Sequence, residues 1–197
     1  TLVTAACVMA TPVAADDRGA LQARCWAPAD LAVKPGESRP LRISPRQAIR
    51  LPSVELTPFA PTPVGAIRRV ELPPGRKLIA LTFDLCEQGG EIAGYDGAIV
   101  DYLRRERVKA TLFTGGKWLL SHPDRARQLM TDPLFEMANH GWTHRNLRLL
   151  AAAALEQEIT GPQAAYEVQR AELAKAQCLA PDAAQKIAAI APRIGVF

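Results

Sequence analysis

From Leu78 onward the chain alternates short apolar runs with longer stretches of helical spacing, and this alternation limits the fold more than any other feature. Leu78-Ile79-Ala80-Leu81-Thr82-Phe83 is a run of the kind found in strands buried on both faces. Gly97 to Val108 carries Ile99, Val100, Leu103 and Val108 at helical spacing, and Ala110-Thr111-Leu112-Phe113-Thr114 reads as a second strand closed by Gly115-Gly116. Lys117 to Thr131 is helical, with a restart at Ser121 and Pro123 in the first turn of the second piece. A shorter third strand is expected at Leu134 to Asn139. An Ala-rich helix from Leu149 to Gln177, perturbed at Gly161-Pro162, a short helix from Asp182 to Ile190 and a fourth strand at Arg193 to Phe197 complete the pattern. Strand, helix, strand, helix with short connections predicts parallel β/α units and hence an α/β fold.

The segment before Leu78 has a different texture. Nine of the sixteen prolines lie between Pro35 and Pro74, where they remove backbone donors and block regular helices and central strands. Residues 16–77 therefore read as an irregular, proline-rich extended arm, with short strands such as Ser53-Val54-Glu55-Leu56 laid against the domain. Residues 1–15 are uncharged and rich in small and apolar residues. They resemble the apolar and cleavage regions of a secretory signal peptide without its positively charged start, a frayed N-terminal helix being the plainer alternative. Export to the periplasm or the medium is the expectation. In that oxidising setting Cys25, Cys86 and Cys178 remain, an odd number, so one thiol stays free or pairs outside the chain.

The net charge of +4 invites a nucleic-acid partner, but its placement argues against one. Between Lys34 and Lys77 there are nine basic residues against three acidic ones, with Phe59 as the lone aromatic and no helix-turn-helix or RNA-binding signature. A solvated linker is the simpler reading. No window approaches the roughly 18 uninterrupted apolar residues that a spanning helix needs, so no stable membrane insertion is expected. Nothing in the sequence addresses oligomeric state.

Two groups of chemically capable residues fall where β/α folds place their sites, at the C-terminal ends of strands. Asp84, with Leu85-Cys86-Glu87, directly follows the first strand, and His140-Gly141-Trp142-Thr143-His144 directly follows the third. Imidazoles at i and i+4 on a helical turn project to one side and can share one metal ion, with a carboxylate from a neighbouring strand end as ligand or base. Taken singly, each residue has a plainer use: exposed loop histidines, and a helix-capping or ion-paired aspartate. Together they favour a site. His122 reads as an exposed helix-start residue, and Trp118 and Trp142 as cleft-lining or packing aromatics.

At these residues the chain resembles the NodB-like polysaccharide deacetylases, carbohydrate esterase family four. Leu81-Thr82-Phe83-Asp84 resembles that family's Thr-Phe-Asp-Asp motif, and Asn139 to His144 resembles its metal-binding His-x-x-x-His. Val108-Lys109-Ala110-Thr111-Leu112-Phe113 resembles the strand written Lys-Ala-Thr-Phe-Phe. The likeness runs from Leu78 to about Leu150. It implies the N-terminal part of a distorted (β/α) barrel of the NodB homology type, spanning residues 78–197. It further implies hydrolysis of N-acetyl groups on an N-acetylated glycan, with Asp84 as general base and His140 and His144 as ligands of a divalent metal, most often zinc. A non-catalytic glycan-binding or wall-associated module that keeps the fold is the alternative. A zinc hydrolase of another bond preference, built on Cys86, His140 and His144, is a third reading.

Two departures shape the expectation. The family's second aspartate is Leu85 here, which cannot coordinate a metal, so Asp84, Glu87 or another oxygen must complete the set. Cys86 is a further candidate ligand, its commoner use being a small buried apolar side chain. The family's later motifs, which include its general acid, have no counterpart before Phe197, and Arg193 to Phe197 stands where the first of them would begin. At roughly 30 residues per β/α repeat, the stretch from Leu78 supplies about three to four units of a fold that has about seven or eight. The chain is therefore expected to be cut at both ends and inactive by itself.

Overall fold

A computed structural model of the chain describes residues 15–42, 51–52, 69–88 and 90–179. The expected helix at 182–190, the strands at 193–197 and 53–56, and residues 1–14 of the signal-like segment lie outside the described residues.

The core is a three-stranded parallel sheet of β2 (Thr82–Leu85), β4 (Ala110–Thr114) and β5 (Phe135–Asn139), in the order β2-β4-β5. Helix α3 (Gly97–Glu106) links β2 to β4, and α4 (Gly116–Ser121) with α5 (Pro123–Thr131) links β4 to β5. Each crossover thus carries helix between parallel strands, the β/α pattern read from the sequence. The restart falls at His122, because Pro123 has no N–H to continue α4 and instead opens α5. Leu112, Met137, Leu119, Leu129, Phe135 and Trp118 are almost wholly buried in one apolar cluster between the sheet and these helices.

The first strand differs from expectation in place and in burial. Pairing runs from Thr82 opposite Thr111 to Leu85 opposite Thr114, so β2 occupies 82–85 and not 78–83. The Leu81 carbonyl still accepts from Thr111 N at 2.9 Å, whereas Leu78 and Ile79 lie before any partner and are exposed. The strand is not buried on both faces. Thr82 and Asp84 are exposed and Phe83 and Leu85 half-buried, because β2 is the edge of the described sheet and only the face toward α3 is covered. Between that face and α3 lies a cavity of about 310 Å³ bordered by Phe83, Leu85, Tyr95, Val100, Leu103 and Leu112.

Helix α6 (Ala152–Ala174) lies across α4 and runs without a break through Pro162. The expected perturbation is thus confined to one missing donor: a residue with an N–H at 162 would bond to the Glu158 carbonyl, and proline cannot.

The arm region holds more regular structure than its proline content predicts. Helix α1 (Ala15–Cys25) precedes the proline-dense part and lies beside α5, with Arg18 donating to the carbonyls of Pro133 and Phe135 at 3.2 Å. Those carbonyls mark the start of β5, so α1 sits at the N-terminal end of the sheet. A disulfide joins Cys25 to Cys178 across 153 residues, leaving Cys86 as the free thiol among the described residues. A short helix α2 (Pro28–Leu31) follows, and β1 (Leu41–Arg42) pairs antiparallel with β3 (Glu91–Ile92). Gly94 permits this docking, since a Cβ there would meet the Ser38 carbonyl oxygen at 2.1 Å.

Arg125, on α5, fastens the arm. Its guanidinium donates to both oxygens of Glu37 (2.9 and 2.8 Å) and to the carbonyls of Asp30, Leu31 and Ala32. Burial opposes ionisation of Glu37, but the hydrogen bonds from Arg125 and the Lys34 N–H outweigh it and hold the carboxyl below its ordinary range. A carboxyl that titrates below its unfolded value of about 4.3 stabilises the fold above that pH. The contribution disappears as pH falls through the folded value. Glu37→Gln should therefore cost about 1–3 kcal/mol at neutral pH, measured by urea unfolding, and the gap to the wild type should close below about pH 4. An equal loss at pH 7 and pH 3 would show that the ion pair contributes nothing.

Candidate metal centre

The parallel register sets out the site before any side-chain contact is considered. Asp84 pairs with Phe113, and Phe113 with Ala138, so these three share one face of the sheet. Continuing by twos, Cys86 and His140 follow on that same face at the strand ends. Leu85 belongs to the opposite face, where with Phe83 it packs against the apolar cluster; the cavity under α3 that both border is also reached by Asp84 and Cys86 at the strand end.

Main-chain bonds hold the three strand ends level. Gly115 N donates to the Leu85 carbonyl (2.9 Å), His140 N to Thr114 (3.1 Å) and Gly116 N to Gly141 (3.0 Å). The end of β4 therefore fixes the residue before Cys86 and the residue after His140 to a common frame.

The two histidines do meet, although not on a helical turn. Residues 140–146 form no helix. The chain reverses through Gly141 at φ +80° and His144 at φ +58°, which brings the imidazole centroids to 4.9 Å. A left-handed backbone at a residue with a Cβ costs on the order of 1–2 kcal/mol, so something must hold the loop. That anchor is Glu158 on α6, which is 3% exposed. One of its oxygens accepts from the N–H groups of Trp142 and Thr143 (2.8 and 2.9 Å), and the other accepts from the Thr143 hydroxyl. Asn139 adds a bond from Gly141 N to its Oδ1 (2.9 Å). The Trp142 ring lies against two glycines, since a Cβ at Gly116 would meet it at 2.3 Å and one at Gly161 at 3.0 Å. Trp118, by contrast, is wholly buried and stacks on His122, so neither it nor that histidine belongs to the site.

The donor set is compact. One ligand atom each from Cys86, His140 and His144 lies within 4.8 Å of the others. Asp84, 58% exposed, places Oδ2 3.7 Å from His140 Nε2, too long for a hydrogen bond. His140 Nε2 is buried and has no hydrogen-bond partner among the described residues. A buried imidazole nitrogen left without a proton partner, beside a second imidazole and a thiol, is a donor set suited to a soft or borderline divalent cation. Burial, aided by His144 and opposed by Asp84, pushes the His140 pKa below its ordinary value, which favours the neutral ring that can ligate. Burial first, and the charge of Asp84 next, push the Cys86 thiol up; a cation beside it would act in the opposite sense.

Glu87 is not brought to this set. It is 3% exposed and turned toward α4, where it accepts from Ser121 Oγ and the Ala93 N–H and pairs with Lys117 Nζ at 3.5 Å. The role of Glu158 escaped the sequence reading because it lies 14 residues past His144, inside an Ala-rich helix with no motif around it.

The family model described as "Polysaccharide deacetylase" matches residues 71–180. A chitooligosaccharide deacetylase of Rhizobium leguminosarum bv. trifolii is 37% identical over 81 residues, which are 41% of this chain and 35% of that protein. An uncharacterized 30.6 kDa protein of Geobacillus stearothermophilus is 31% identical over 86 residues, 44% of this chain and 31% of that one. The chain thus spans about a third of the length of these curated relatives. Among solved structures, the peptidoglycan deacetylase PdaC from Bacillus subtilis is 29% identical with a TM-score of 0.39, covering 50% of this chain and 46% of that one. A CE4 family pseudoenzyme from Bacillus anthracis is 25% identical with a TM-score of 0.41, covering 49% of this chain and 33% of that one. The family match takes in more than half of the chain, both strand-end motifs and the helix that anchors the histidine loop, and the chain belongs to the polysaccharide deacetylase family.

Proposed function

We propose that this chain is the metal-holding part of an exported hydrolase that removes N-acetyl groups from an N-acetylated polysaccharide, releasing acetate and a free amino sugar. The observation that carries the reading is the meeting of Asp84, His140 and His144 on one face at the C-terminal ends of β2 and β5. Membership of the polysaccharide deacetylase family and the likeness to a chitooligosaccharide deacetylase support the substrate class. The Cys25–Cys178 disulfide supports export, since such bonds persist in oxidising compartments.

The residues divide the work as follows. His140 and His144 are the nitrogen ligands of a divalent cation, with zinc the simplest choice for two imidazoles. When bound, the cation supplies a Lewis acid for the amide carbonyl. Asp84 is a carboxylate open to solvent on the same side as the imidazoles, and it takes the proton of the attacking water as the new C–O bond forms. The ring of Phe113 lies 6.3 Å from that of His140 and forms an apolar neighbour beside the imidazole. The amide C–N bond then breaks, and the amine leaves with the proton that Asp84 has taken up, which restores the carboxylate.

A second reading, a glycan-binding module without catalysis, is favoured by one feature: Leu85 occupies the position of the family's second aspartate and packs into the apolar cluster. Zinc titration of the full-length protein separates the two, a chelator-reversible rise in melting temperature being expected of the enzyme alone.

In the full-length protein, acting on oligomers of N-acetylglucosamine, Asp84→Asn should lower acetate release by about 10²–10⁴-fold while metal content stays unchanged. Unaltered turnover would remove Asp84 from its role. His140→Ala and His144→Ala should each lose bound metal by elemental analysis. Glu158→Gln keeps the shape of the anchor but weakens its charge-assisted bonds, and should reduce zinc affinity by about 10–100-fold in a competition titration. An unchanged affinity would show that the loop holds its form without that carboxylate.

A further inference from the structure

The geometry points to Cys86 as the third protein ligand of this centre, its thiolate standing in for the carboxylate that Leu85 cannot provide. This rests on the proposal that His140 and His144 hold a cation. Strand parity is the first argument. Leu85 packs against the apolar cluster, whereas position 86, one residue on, falls on the side of the histidines. Proximity is the second, since Sγ of Cys86 and one nitrogen of each histidine lie within 4.8 Å of one another. Zinc bonds of about 2.3 Å to sulfur and 2.0–2.1 Å to nitrogen place tetrahedral donors about 3.3–3.6 Å apart. Side-chain rotation alone closes a difference on the order of 1 Å.

Elimination is the third argument. Glu87 is committed to Ser121, Ala93 and Lys117, and Asp84, with Oδ2 3.7 Å from His140 Nε2, is given to the attacking water as its base in the function proposed above. The frame is also rigid at this point: Gly115 bonds to the Leu85 carbonyl, and a Cβ on Gly115 would sit 3.4 Å from the Cys86 Cα. Charge is conserved by the exchange, because a thiolate and a carboxylate each bring one negative charge to two neutral imidazoles. What changes is softness. Two imidazoles and a thiolate favour zinc over hard cations and leave a fourth position open for substrate or water. Cys25 and Cys178 pair with each other, so Cys86 has no disulfide partner among the described residues.

The test uses cobalt(II) in place of zinc in the full-length protein. Bound cobalt should show visible ligand-field bands together with a near-ultraviolet thiolate-to-metal charge-transfer band. Cys86→Ser should abolish the charge-transfer band and weaken binding by at least tenfold, while Cys86→Asp should keep the cation without the band. Ligand-field bands with no charge-transfer band in the wild type would overturn the role of Cys86 and leave the histidine site standing. No cobalt binding at all would overturn both. A measurement on the wild type alone guards against variants that fail to fold: zinc should slow alkylation of Cys86 by iodoacetamide at least tenfold, and an unchanged rate would count against ligation.

Discussion

The parallel in-register pairing of β2, β4 and β5 is the constraint on which the remaining features depend. Because partners run from Leu85 opposite Thr114 to Thr114 opposite Asn139, the strands end at one level. The segments leaving them begin side by side. Alternation of side chains then sorts the residues without further instruction: Phe83, Leu85, Leu112 and Met137 go to the helix-covered side, and Asp84, Phe113, Ala138, Cys86 and His140 to the other. A slip of one residue in β2 would exchange the two sets, putting Asp84 into the apolar cluster and Leu85 beside the histidines. The energetic preference for burying Phe83 and Leu85 and the placement of the chemistry are therefore one specification.

A second layer of structure holds what the register brings together. The histidine loop adopts left-handed backbone at Gly141 and His144, and this is maintained by the buried carboxylate of Glu158 and by a tryptophan fitted against two glycines. At the opposite end of the sheet, α1 and the Arg125 contacts close the structure with hydrogen bonds to carbonyls. The division resembles that of β/α folds in general, with stability built at the N-terminal face and reactivity at the C-terminal face.

How much of this could be read from the sequence varied with the range of the interaction that decides it. The β/α alternation was legible because apolar periodicity is local, and the break between α4 and α5 was legible to within one residue, Ser121 against His122, because Pro123 lacks an N–H. The convergence of His140 and His144 was legible as a spacing, but its cause was not, since a helical turn was expected and a loop held from α6 was found. Burial of the first strand was misread because Leu78 to Phe83 is apolar throughout, and only pairing with β4 decides which four residues become strand. The arm was read as irregular from its prolines, yet α1 precedes the proline-dense part, and Arg125 fixes residues 30–37 through carbonyls that carry no side-chain signature. The pairing of Cys25 with Cys178 is of the same kind, since an odd count of cysteines cannot say which two approach.

That bond turns most of the described chain into a closed ring, with all three strands and the histidine loop inside it. A protease that cuts anywhere between residues 25 and 178 opens the ring but does not release a piece, so a nicked molecule keeps both strand ends of the centre in one covalent unit.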